Sequence, residues 1–168
     1  AEEFNQPCMI FINKLDRERA DFSRAFKETT EIFDTKPIIL QLPIGAEADF
    51  KGVVDLISGQ AFVYDEDGKM QKSEIPTDMQ DLVESEKENL IENIAEADDE
   101  LVERYLEGEE LSQQELAAAL RKGTLARIFV PVLCGSATRN IGIDLLMDVV
   151  IDALPSPTDR GAKTGENP

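Results

Sequence analysis

The sequence predicts an α/β fold in which a doubly wound parallel sheet is interrupted by an inserted α+β block. Three observations lead there. Near-continuous apolar runs at residues 7–12 and 128–133 have the look of strands buried on both faces. Each is followed by a polar loop and then by apolar residues at helical spacing, the strand–loop–helix half of a βαβ unit. Between them, short strand-like runs and long acidic helical stretches occupy residues 37–124.

The first run ends in Asn13-Lys14-Leu15-Asp16-Arg17, and a helix is expected over 19–33, with Phe22, Phe26 and Phe33 on one face. Residues 38–44 are apolar, short and stopped by Gly45; 53–57 and 61–64 are further short strands. Asp67-Gly68 is a hairpin-turn signal, with 70–74 as the return strand. Residues 37–75 therefore read as a small, mostly antiparallel sheet. Thr77 and Gln80 have capping-box spacing and open a long helix. Its apolar stripe passes through Val83, Leu90, Ile94 and Leu101, Asp98-Asp99 breaks or recaps it, and Gly108 ends it. Ser112 with Glu115 is a full capping box, stapled by Leu111 and Leu116, for a second helix running to about Gly123 or a few residues past it. Pro131 lacks a ladder donor, which places the strand at 128–133 on a sheet edge. Cys134-Gly135-Ser136-Ala137 follows as a loop, then a helix through Ile143, Leu146, Val150 and Leu154, stopped by Pro155. The organisation expected is a sheet segment over 1–36, the insert over 37–124, a second sheet segment over 125–157 and a flexible tail over 158–168.

Composition narrows the function. With 168 residues and 42% hydrophobic content, the chain can build one ordinary core. No apolar run approaches the roughly 20 residues of a membrane span. The acidic opening Ala1-Glu2-Glu3 is unlike a secretory signal, and a first residue other than Met suits an excised piece. Cys8 and Cys134 sit in apolar runs and read as buried, reduced thiols. The absence of histidine removes the commonest general base and metal ligand, which excludes a Ser–His triad and a His-bearing zinc site; no catalytic residue and no metal site are expected in this chain. A net charge of −18 repels phosphate backbones, which argues against direct DNA or RNA binding and for a protein partner with a basic face. The same acid also serves to keep a helix face soluble.

Ligands of open α/β sheets bind beyond the carboxyl ends of the strands, where Asn13-Lys14-Leu15-Asp16 lies. It fits the pattern N-K-x-D. A carboxylate offers two acceptor oxygens in one plane, and guanine's edge offers two donors, the ring N1–H and the exocyclic amine. Asp16 matches them as a bidentate, charge-assisted pair. Adenine has an acceptor at N1 and no amine at C2, and would leave the charge unpaired. Lys14 can lay its aliphatic stem over the base, and Asn13 can hold the base edge and a neighbouring loop. After the last strand, a residue as small as Ala137 lets its backbone N–H approach the guanine O6, while Ser136 braces the loop or Asp16 itself. The plainer reading of Asp16 is a cap for the following helix. The phosphate loop G-x-x-x-x-G-K-[ST] is missing. Matches to D-x-x-G at residues 49–52 and 65–68 come after N-K-x-D and read as turns. The chain by itself is therefore not expected to hydrolyse GTP.

Residues 11–17, 42–47, 50–56, 105–111, 134–137 and 154–157, taken together, resemble bacterial elongation factor G over nearly the whole chain. The resemblance implies part of a Ras-like, P-loop-NTPase-like domain with the insert known as G′. It further implies a cytoplasmic translational GTPase that moves tRNA and mRNA through the ribosome and binds GTP or GDP, with magnesium held outside this chain. Carried over by position, Asn13, Lys14, Asp16, Ser136 and Ala137 would form the base pocket, and the acidic insert would meet the ribosomal stalk protein. The sequence departs from the pattern at Ile141, where a lysine on the pocket rim is expected. Release factor 3, ribosome-protection proteins and elongation factor G paralogues share the family. A reading of another class is a stand-alone acidic α+β module that binds a basic protein.

Overall fold

The computed structural model describes residues 6–32 and 35–160. Two sheets share one apolar core. The first is parallel, with β1 (Ile10–Ile12), β7 (Phe129–Cys134) and β2 (Lys36–Ile39) in the order β1-β7-β2. The second is an antiparallel meander of β3 (Gln41–Ile44), β4 (Gly52–Asp55), β5 (Gln60–Tyr64) and β6 (Met70–Ser73). The β5–β6 hairpin turns at Asp65–Lys69, where Gly68 N donates to Asp65 O. Both D-x-x-G matches therefore lie in turns or at a turn's edge, as their order suggested.

The apolar run at 38–44 is two strands, not one. Leu40 is the joint: its N–H donates to Val132 O of the parallel sheet at 2.9 Å, and its carbonyl accepts from Leu56 N, at the end of β4, at 3.0 Å. The first strand of the expected insert thus belongs to the parallel sheet. Gln41, 1% exposed, continues the seam, its Oε1 accepting from Cys134 N at 3.3 Å. Ile12 and Val132 of one sheet, and Leu42 and Val53 of the other, lie in the same buried cluster with Leu90, Ile94 and Leu120.

The edge position expected for β7 is also corrected, because among the described strands β7 is central. Leu40 donates to Val132 O, so even-numbered peptide groups of β7 face β2. Gly135 N donates to Ile12 O at 3.0 Å, so odd-numbered ones face β1. The nitrogen of Pro131 therefore points towards β1, one step below the first paired residues, Ile10 and Val132. No ladder bond is lost there, and the usual objection to proline in an interior strand falls away.

Helix α1 (Phe22–Ile32) packs on β1 and β2, and the expected end at Phe33 lies outside the described residues. Asp21 Oδ1 accepts from Arg24 N at 2.9 Å, so Asp21, not Asp16, caps this helix. The long helix is two, α2 (Gln80–Ala95) and α3 (Asp99–Leu106), with Asp98 capping the second through Glu100 N. Thr77 does not form the expected capping box; Thr77–Met79 is a 3-10 turn without a side-chain cap. The box at Ser112 and Glu115 does form and starts α4 (Gln113–Ala126). This helix runs past Gly123, which lies where any Cβ would meet the Phe129 ring at 2.3 Å, and ends at Arg127 in the left-handed region. Arg121 of α4 donates to the Asp152 and Leu154 carbonyls at the end of α5 (Ile143–Ala153), satisfying groups that a helix terminus leaves open. Arg121 also reaches Asp159 at 2.9 Å. Residues Pro157–Arg160 form a 3-10 turn, so the expected flexible tail does not begin at 158; positions 161–168 lie outside the described residues. Cys134 is buried as expected, but Cys8 is only half-buried, and both are free thiols.

Glu115 ties α3 to α4. It accepts from Arg104 and from Ser112 N and Oγ, and these bonds, Arg104 first, hold its carboxyl down at about 2. A depressed carboxyl contributes stability above its unfolded pKa of roughly 4.3 and loses it as pH falls through the folded value. Urea midpoints of the unsubstituted chain and Glu115→Gln should therefore differ at pH 7 and converge as pH falls from about 4.5 towards 2. A gap unchanged at low pH would mean that the carboxylate charge plays no part.

Candidate functional site

The turn Asn13–Arg19 follows β1 and the turn Gly135–Asn140 follows β7, so parallel pairing of the two strands brings both loops to one sheet edge. The backbone welds them together: Leu15 N donates to Gly135 O at 3.2 Å and Gly135 N to Ile12 O. Ser136 and Ile141 exchange two bonds of 3.0 Å, closing the second loop on itself. Lys14, with φ 65, takes the left-handed conformation at the first loop's tip. Strained backbone of this kind is commonest where side chains must be aimed.

The five residues singled out by sequence are joined by hydrogen bonds, two of which cross from one loop to the other. Ser136 Oγ donates to Asp16 Oδ1 at 2.6 Å. Asn13 Oδ1 accepts from Lys14 N at 2.7 Å and from Ala137 N at 3.0 Å. Ser136 is fully buried, and the Asp16 side chain is 11% exposed. Lys14 and Ala137 are exposed at the mouth. The Ser136 hydroxyl is the main reason that the Asp16 carboxyl lies below its ordinary range. Burial opposes it, while Arg17 and Arg139 assist. Asp16 is thus an anion at neutral pH. It has spent one lone pair on Ser136, and Arg17 Nε stands 3.8 Å from Oδ2, so acceptor capacity remains for a planar pair of donors.

Two expectations change. The Ala137 N–H is engaged by Asn13, so in this structure it closes the two loops together. Ile141 is not on a rim: it is 1% exposed and belongs to the core, where a lysine would bury an ammonium. Arg139 went unnoticed in the sequence. Its Nη1 donates to Phe50 O at 2.8 Å, and its charge acts on Asp16; no motif position marks it. Among the described residues no group of three or more metal-ligating side chains is assembled, and no helix is long and apolar enough to cross a membrane.

Comparison with known proteins gives a consistent picture. The family model for the elongation factor Tu GTP-binding domain matches residues 1–156. The chain is 46% identical to elongation factor G 2 of Shewanella sp. strain MR-4, over 99% of its own length and 26% of that protein's. It is 44% identical to elongation factor G 2 of strain MR-7, with the same coverage. A crystal structure of a Thermus thermophilus protein superimposes with a TM-score of 0.85 at 29% identity, over 95% of this chain and 24% of that one. The chain spans about a quarter of the length of the curated relatives it matches.

Proposed function

This chain belongs to the elongation factor Tu GTP-binding domain family, and from that premise we propose that it is the guanine-reading part and inserted subdomain of a translational GTPase of the elongation factor G type. The observation that carries the reading is the Asp16 carboxylate, ionised and aimed by Ser136 across two fused loops. It accepts the guanine N1–H and exocyclic amine together. Lys14, exposed at the mouth, covers the base with its aliphatic stem, and Asn13 keeps the loops at a fixed separation. Guanine O6 takes the Ala137 N–H only as Asn13 Oδ1 releases or shares it, so base entry loosens one loop contact while forming others.

The residues fit the base, and the base alone. GTP brings its own phosphoanhydride chemistry; in this reading the chain supplies selectivity for the base, and the phosphates and magnesium are held by residues outside it. Driving tRNA and mRNA through the ribosome belongs to the whole protein. The insert's contribution is a surface for a partner. A groove of about 1040 Å³ between β5, β6, α2 and α3 is rimmed by Glu74, Glu84, Glu88, Glu109 and Glu110, against a single Lys87. That charge suits a basic face such as one on the ribosomal stalk protein. A cytoplasmic setting accords with this role.

Calorimetry tests the reading in two titrations. The chain by itself should bind GDP weakly or not measurably, for want of phosphate contacts. The full-length protein should bind GDP tightly and ADP at least about 10³-fold more weakly, as a site built around hydrogen-bonded donors discriminates. Equal affinity for GDP and ADP would defeat the proposal.

A further inference from the structure

Glu47 belongs to the inserted sheet, yet it touches the base-reading loop at two points. It opens the 3-10 turn Glu47–Asp49 between β3 and β4. Its N–H donates to Leu15 O at 3.1 Å, and its carboxylate Oε1 accepts from Arg19 N at 2.8 Å. From the same turn, Phe50 O accepts from Arg139 at 2.8 Å. The turn therefore holds both loops, and it is itself fixed, because the Phe50 side chain is fully buried. Glu47 has φ 51, a conformation that a glutamate adopts only where its surroundings impose it.

The loop needs such a post. From Asn13 to Arg19, only Leu15 is buried; the β7 loop holds one side of the turn through Asn13, Leu15 and Asp16, and Glu47 holds the other through Leu15 O and Arg19 N. A bidentate contact tolerates misplacement of a few tenths of an ångström at most. We propose that Glu47 is a positioning residue for base recognition, fixing the Asn13–Arg19 loop from the insert so that Asp16 meets the base edge. The inference rests on the guanine reading above and adds to it a role for the insert.

The test uses the full-length protein, a fluorescent GDP analogue for dissociation rates, and the affinity ratio of GDP to IDP, which lacks the exocyclic amine. Glu47→Gly suits the left-handed backbone and removes only the side-chain acceptor, so the melting temperature should hold. Dissociation should quicken about 10-fold and the GDP:IDP ratio should shrink, as misplacement predicts. Glu47→Gln keeps an acceptor oxygen and should restore both. Should Glu47→Gly not fold, Glu47→Asp, one methylene too short to reach Arg19 N, carries the same test. A Gly or Asp variant with unchanged rate and ratio overturns the proposal, and so does a Gln variant as impaired as Gly. An unsubstituted protein that fails to prefer GDP over ADP overturns instead the guanine reading beneath it.

Discussion

Asp16→Asn in the full-length protein is expected to weaken GDP binding by about 10²–10⁴-fold and to create affinity for XDP. The two bonds at stake are charge-assisted, each worth roughly 1.5–3 kcal/mol. An amide retains one acceptor and turns the other into a donor, which meets the guanine amine donor to donor. Xanthine carries a carbonyl at that position and accepts the new N–H. The change is nearly isosteric and the site is pre-built, with Ser136 Oγ 2.6 Å from the carboxylate, so folding should be little affected. Competition of GDP, XDP and IDP against a fluorescent nucleotide measures the exchange of preference. If GDP remains preferred over XDP to the same degree, Asp16 is not what reads the base.

Gly135→Ala is the second large effect expected, and it acts through geometry alone. A Cβ at residue 135 would lie 2.2 Å from Ile141 O and 2.8 Å from the Phe11 ring. Phe11 can turn aside, but Ile141 O cannot easily withdraw, because it accepts from Ser136 N within a loop closed by a second bond. The methyl group must drive that loop off β7. Ser136 then leaves Asp16, and Ala137 leaves Asn13. Overpacking against backbone costs about 1–3 kcal/mol, or a fall in Tm of roughly 2–4 °C for each kcal/mol in a chain of this size. The loss of guanine affinity should exceed what that instability explains, since both loops are displaced together. A melting curve of the chain, paired with GDP titration of the full-length protein carrying the same substitution, separates the two. An Ala variant that binds GDP normally would show that the loop has slack which the structure does not reveal.

Much of this site was legible because its chemistry is local. Asn13, Lys14 and Asp16 lie within four positions, directly after an apolar strand, and Ser136-Ala137 stands in the same relation to β7. The capping box at Ser112 and Glu115, the turn at Asp67-Gly68 and the recapping at Asp98 are likewise short-range devices, and all three form. What escaped the sequence was set by partners far along the chain. Residues 38–44 are apolar throughout, apart from Gln41, so no periodicity reveals that Leu40 changes sheet. Pro131 looked like an edge marker because the rule counts missing donors, whereas the outcome depended on which neighbour that donor would have faced and where the ladder begins. Ile141 looked like a rim position until its bridge to Ser136 turned it inward. Glu47 lies 28 positions from Arg19, and Arg139 lies 89 from Phe50, with no spacing rule to join them.

The Leu40 joint has a practical corollary for anyone who would transplant or excise the acidic block. Splicing out residues 37–124 would delete almost all of β2, strip one flank from β7 and expose the seam now filled by Gln41. The block is no bead on a string: its first stretch is woven into the host. A workable cut would have to fall after Ile39 and supply a new donor for Val132 O.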